Sequence, residues 1–239
     1  MASLSVGYYL HKILFFLTTP VLVLLLYFYG DNATHFDSIY IAALCLSCLF
    51  CWSDKDTLGA LLILLGYWLV AKALINAPDN WQYWLLIYAS GIGLCCYYFH
   101  HITAKITLMI VLYSVAAEWF WWHENYINKP EIHYYIGLLA LTVWIRKLLF
   151  NRIFIAYKYF NYTSGKTGLD SHAGVILYLS FALIFLMTLE YFVRHLGGIN
   201  NVTTIYYLFT PISTVISGAT LAVIYMHYFN NQSKKHLSA

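Results

Sequence analysis

The sequence predicts an all-α fold, a polytopic membrane helix bundle of about eight transmembrane helices in four tandem helical hairpins. Three observations predict it. Of 239 residues, 62% are hydrophobic and only 10% are Asp, Glu, Lys or Arg, whereas about a quarter of an ordinary soluble domain is charged. The apolar residues fall into eight stretches separated by short polar turns, and Lys and Arg collect in every second turn. A chain so poor in polar residues cannot cover a core against water. Lipid removes that need, and requires that backbone groups bond within each segment, as they do in helices.

The first stretch, 10–29, contains Lys12 near its start and Pro20 further on. No small-residue cleavage pattern precedes Gly30, so a retained span is expected and not a removable signal. The second, 36–52, is marginal in length against the roughly 17–25 residues a crossing helix uses. Spans at 58–75, 81–99, 102–122, 132–149 and 175–193 follow, and the last, 205–229, is long enough to tilt. Pro211 lies inside it and would remove one helical hydrogen bond. The longest gap, 150–174, is expected as a cytoplasmic loop. Its start mixes cations and aromatics (Arg152, Phe154, Tyr157, Lys158, Tyr159), so it should extend the sixth helix or lie at the headgroups. Ser164 to Gly168 has flexible-loop chemistry.

With the N-terminus inside, the cytoplasmic segments hold Lys12, Lys55, Lys105, Arg146, Lys147, Arg152, Lys158, Lys166, Lys234 and Lys235. Lys72, Lys129 and Arg194 fall on the other side, a bias of ten to three. Basic residues favour the cytoplasmic face, so both termini are expected there, in a bacterial inner membrane. Trp81, Tyr83, Trp84, Trp119, Trp121, Trp122, Tyr206 and Tyr207 cluster where an outer aromatic belt should lie. Tyr97, Tyr98, Tyr225 and Tyr228 do so at the inner side. A net charge of +3, dispersed beside the spans, excludes nucleic acid as a partner and leaves membrane lipids. A homo-oligomer is compatible with such a chain.

An internal repeat accompanies the spans. Glu118-Trp119-Phe120-Trp121-Trp122-His123 aligns without a gap to Glu190-Tyr191-Phe192-Val193-Arg194-His195. Ile127-Asn128 and Tyr134-Tyr135 align to Ile199-Asn200 and Tyr206-Tyr207 in the same frame. Tyr67-Trp68 and Ile75 to Asp79 form a weaker copy, and Tyr27-Phe28 a decayed one. Hairpins at about 10–52, 58–99, 102–149 and 175–229 are the expected units within a single domain, 1–239.

The candidate binding residues are Glu118, Glu190, His123 and His195. A carboxylate in a membrane helix costs a few kcal/mol, so it faces a polar interior or a partner. Each glutamate lies roughly 7 Å in from its turn at about 1.5 Å per residue. The structural alternative is a hydrogen-bonded glutamate joining helices. Each histidine follows its glutamate by five positions, about 140° around a helix, so one helix cannot offer both to one metal. Cys45, Cys48 and Cys51 lie within a span and suit close helix packing better than a zinc site. His100-His101 belongs to a cytoplasmic turn, and Lys72 can snorkel outward along its apolar stem. Ser164-Gly165-Lys166-Thr167 ends like a phosphate-binding loop, but Phe160 stands where its first glycine belongs and no strand precedes it. No cofactor, metal or catalytic residue is expected.

Two resemblances add expectations. Glu190 with Arg194 has the ExxxR spacing, and His227 with Asn231 the HxxxN spacing, of the CAAX-type intramembrane peptidases. Leu189 replaces that family's first glutamate, and Ser213 stands where a histidine should follow Phe209. In size and span pattern the whole chain resembles small polytopic inner-membrane immunity proteins that protect bacteria from pore-forming toxins, such as the colicin-type. That resemblance implies a non-enzymatic protein whose partner is a membrane-inserting toxin. The glutamate pair makes a small transporter or channel the alternative.

Overall fold

The computed structural model describes residues 6–29, 33–76, 80–124, 132–161, 168–199 and 201–238, which form eight α-helices and no strand. They are α1 (Val6–Tyr29), α2 (Ala33–Phe50), α3 (Lys55–Ile75), α4 (Trp81–Tyr97), α5 (Ile102–His123), α6 (His133–Phe160), α7 (Gly168–His195) and α8 (Thr204–Ser238). Each coincides with one of the apolar stretches. The gap expected over 150–174 is largely helical: α6 continues to Phe160 and α7 already begins at Gly168. Asn161 ends α6 with φ 51° and returns its N–H to Ala156 O, a left-handed cap that Asn tolerates. Residues 162–167, with Lys166 and the phosphate-loop-like segment, lie outside the described residues, as do Lys129 and most of the outer turns carrying the repeat's Ile-Asn elements.

Four helices are long and apolar enough to cross a membrane: Lys55–Ile75, Ile102–His123, Gly168–His195 and Thr204–Ser233. By length and composition this is a membrane protein. Of the others, α4 has 17 residues and α6 carries Arg146, Lys147, Arg152 and Lys158; in α1 and α2 the described side chains form apolar runs at Phe15–Tyr29 and His35–Phe50. Met109, Leu49 and Leu86 stand among many exposed apolar side chains on the perimeter, far more than a water-facing surface normally presents.

Six helices close a ring. α1 packs on α2 and α8, α2 on α3, α3 on α6, α6 on α7, and α7 on α8, while α4 and α5 pack on each other and on the outside of α6. The hairpin expected over 58–99 therefore does not exist as a packing unit, because α3 and α4 share no extended contact. Gly137 of α6 is the physical reason. A Cβ there would lie 3.0 Å from Leu74 Cδ1 on α3 and 3.4 Å from Ile87 Cγ2 on α4. The missing side chain lets α6 wedge between them.

The ring is fastened at its basic end by ions. Arg152, buried on α6, donates from Nη2 to both carboxylate oxygens of Asp170 at 3.1 and 3.3 Å, and from Nε at 3.3 Å. Its Nη1 donates to Asp56 O at 2.5 Å and approaches Asp56 Oδ1 at 3.4 Å. Asp170 and Asp56 occupy the first turns of α7 and α3, where a helix dipole favours negative charge. Gly174, one turn beyond Asp170, lets α7 approach: a Cβ there would be 2.9 Å from the Phe150 ring of α6.

α8 joins the same end through one face. Tyr225 meets Ser47 at 2.7 Å and Tyr228 meets Ser53 at 3.3 Å. Asn231 donates to Asp54 Oδ2 at 3.0 Å, and Gln232 to Ser53 Oγ at 3.2 Å. Their three- and four-residue spacing places them on a single helical stripe. Asp54 Oδ2 also accepts from Thr57 Oγ1 at 2.6 Å. Phe15 of α1 seals this end against Tyr225 and Phe229, with ring centroids at 4.8 and 5.4 Å.

Removing one partner of a buried ion pair leaves the other charge uncompensated, at a cost of roughly 3–5 kcal/mol. Asp170→Asn should therefore lower the thermal midpoint of the detergent-solubilised protein clearly. Lys158→Gln, on the exposed end of α6, should leave it unchanged, with both read in the same denaturation assay.

Candidate functional site

Between the two halves of the ring, toward the end opposite Arg152, lies a cavity of about 620 Å³. That falls within the roughly 300–1,000 Å³ of ordinary ligand pockets. Phe36 and Asp37 enter it from the start of α2, Tyr67, Trp68 and Ala71 from α3, and Tyr134 and Tyr135 from the start of α6. Ser180 and Met187 of α7 and Tyr206, Thr210, Ser213 and Ser217 of α8 complete the wall. Tyr27 and Tyr207, both largely exposed, mark its mouth between α1 and α8. The aromatic wall is itself packed: Trp68 stands edge-on to Tyr40 and Tyr67 at 4.8 and 5.6 Å.

Asp37 is the chemical centre of this space. It is 3% exposed, and its Oδ2 is fully covered without a hydrogen-bond partner. The Tyr67 and Tyr134 hydroxyls are within electrostatic reach of the carboxylate. The Tyr67 proton is already committed, however. Thr142 Oγ1 gives its own proton to Leu138 O at 2.8 Å, so in the 3.3 Å contact between Tyr67 and Thr142 the phenol is the donor. Lys72 also acts on Asp37 at a distance. Its Nζ instead donates to Ser38 Oγ at 2.8 Å, and among the described residues it makes no direct ion pair with Asp37.

The four residues expected from sequence are not gathered in one place. Glu190, buried on α7, accepts from the backbone N–H of Ile205 at 2.6 Å and of Tyr206 at 3.0 Å. It thereby caps the first turn of α8 with a carboxylate from the neighbouring helix. Glu118, half-buried on α5, acts toward Tyr88 of α4. His123 is exposed, 3.4 Å from Glu124 and 6.0 Å from the Trp119 ring. His195 stacks on Tyr191 at 6.1 Å, and its carbonyl accepts from Trp121 Nε1 at 3.4 Å. Among the described residues no group of three or more His, Cys, Asp or Glu side chains is placed to hold a metal.

The peptidase-like set does not assemble either. Glu190 sits at the N-terminus of α8, while His227, 3.0 Å from Asn231, lies 22 residues beyond Ile205 on that helix, about 33 Å away at 1.5 Å per residue. Cys48, Cys51 and Cys95 are buried free thiols within the packing, and Cys45 and Cys96 are exposed. At the turn before α5, burial and then Lys147, Arg146 and His100 hold the His101 imidazole below its ordinary value.

Sequence reasoning passed over Asp37, although it is the only acidic residue in the stretch 36–52 and that isolation was a usable signal. It also passed over Asp54, Asp56 and Asp170, which look like ordinary solvated acids of polar gaps.

The Glu190 geometry predicts a local effect. Losing a helix cap costs about 0.5–2 kcal/mol, so Glu190→Ala should speed amide exchange at Ile205 and Tyr206 by roughly twofold to thirtyfold, at about 1.4 kcal/mol per tenfold. Exchange in the middle of α8 should be unaffected, as hydrogen-exchange mass spectrometry would show. No family model matches this chain, and neither the curated proteins nor the solved structures contain a match.

Proposed function

We propose that this is a non-enzymatic, multi-pass protein of the bacterial inner membrane that works by holding a ligand inside its helix bundle. The cavity beside Asp37 carries this reading, since an aromatic-walled space with one covered carboxylate is what an intramembrane binding site needs. In this reading all eight helices cross the bilayer and both termini are cytoplasmic. The ten-to-three distribution of Lys and Arg supports that orientation. So does the packing of α1's Phe15 and α8's Asn231 at the end of the ring that holds Arg152. The shorter α2 and α4 are accommodated by local thinning of the bilayer.

The span pattern favours an immunity protein, whose ligand is a membrane-inserting segment of a pore-forming toxin. Exposed Trp81, Trp119, Trp122 and Tyr207 at the outer helix ends offer aromatic surface for such a segment. Where a pore-forming toxin gene lies beside this one, cells co-expressing the two should survive a dose that kills control cells. Equal killing of both would remove the immunity reading.

A second reading, passage of a small solute, is favoured by the same cavity. It shifts the acidic role from Glu118 and Glu190 to Asp37, because Glu190 is committed to capping α8. Flux into reconstituted vesicles should then persist in the Glu118→Gln plus Glu190→Gln variant. It should fall below a tenth in Ala71→Trp, whose side chain fills the cavity. Vesicles with no flux in the unaltered protein leave binding alone as the function.

A further inference from the structure

We propose that the cavity is a binding site for a monovalent organic cation, an ammonium group on an apolar body, with Asp37 as its counter-ion. This rests on the reading of the cavity as the ligand site, and adds the ligand's charge and shape.

Among the described residues, Asp37 is the one charged residue lining the space, and no Lys, Arg or His is among the lining residues. The site is therefore built for one positive charge and against an anion. The carboxylate is covered, its Oδ2 has no hydrogen-bond donor, and the proton of the Tyr67 phenol is spent on Thr142. A buried carboxylate with no cation in direct contact is unfavourable, so the arrangement favours a cationic partner in the cavity. Lys72 acts on Asp37 only from a distance, its Nζ donating to Ser38 Oγ. The walls fit the same chemistry. Tyr67, Trp68, Tyr134, Tyr135 and Tyr206 border the cavity, and faces of Tyr and Trp rings attract ammonium cations, quaternary ones above all. A metal ion would need several converging oxygen ligands close together, whereas one carboxylate in about 620 Å³ leaves room for an organic body.

The test uses the full chain in a neutral maltoside detergent, with choline and its uncharged carbon isostere 3,3-dimethylbutan-1-ol as probes in titration calorimetry. Choline should bind at least tenfold more tightly than the isostere, and Asp37→Asn should lose at least tenfold of that affinity. In a second measurement on the unaltered protein, dicyclohexylcarbodiimide should label Asp37, read by peptide mass spectrometry. Choline should slow that labelling and the isostere should not. This arm decides the matter if Asp37→Asn does not fold. Equal binding of the two probes, or unchanged choline affinity in Asp37→Asn, overturns the cation assignment while leaving the cavity as a ligand site. If neither probe binds and neither slows the labelling, the cation site and the ligand-binding reading fall together.

Discussion

The arrangement of the bundle depends on one guanidinium. Arg152 is buried and bonded to Asp170 and Asp56, so α6, α7 and α3 must meet at one point whatever their apolar faces would otherwise prefer. Apolar packing in a lipid setting discriminates weakly among neighbours, because lipid tails are as good a partner as leucine. A buried charge discriminates strongly, because every misplacement leaves it unpaired. The polar stripe of α8 then docks on the turn before α3, and the ring closes through α1. The opposite end has no comparable ion network among the described residues. It is held by ring contacts such as Trp84 on His133 and Tyr135 on Tyr191 and by the Glu190 cap. A bundle tied tightly at one end and loosely at the other has its free volume at the loose end, where the cavity is found.

How much of this was legible depended on whether the signal was local. Helix positions follow from runs of apolar residues: all eight stretches fall on helices, but α6 runs to Phe160 beyond the expected 149, α7 starts at Gly168 before the expected 175, and α8 runs to Ser238 beyond the expected 229. The extension of α6 past residue 150 was one of two readings, and local composition could not separate them. The neighbour order was not legible. Nothing near residues 58–99 announces that α6 will separate α3 from α4, because the cause is the absence of a side chain at Gly137, some forty residues further on. Nor does the sequence near Arg152 name its partners, one of which is a backbone carbonyl.

Two carboxylates in the same half of the bundle show what separates an architectural acid from a site. Both Glu190 and Asp37 are buried acids in largely apolar helices, so the expense of burying an acid marks them equally. Glu190 is answered by two backbone N–H groups that the start of α8 must leave free. Asp37 has an unanswered oxygen and faces open volume. Sequence singled out the first through its repeated motif and missed the second. A main-chain partner leaves no trace in residue identities, and an unmet acceptor leaves none either.

The same contrast separates the repeat from the architecture. Glu118 and Glu190 hold matching positions in their copies, as do His123 and His195. However, α7 is a member of the ring, whereas α5 lies outside it against α4 and α6. An equivalent glutamate therefore meets the backbone of the following helix in one copy and acts toward Tyr88 in the other. Sequence similarity between the matched segments does not carry helix length forward, since α5 has 22 residues and α7 has 28. Nor does it carry the environment, which is set by where the buried ions and the Gly137 wedge place each helix. A pairwise-symmetric acidic site would have required α5 and α7 to occupy equivalent places around one axis, and the wedge of α6 between α3 and α4 prevents that.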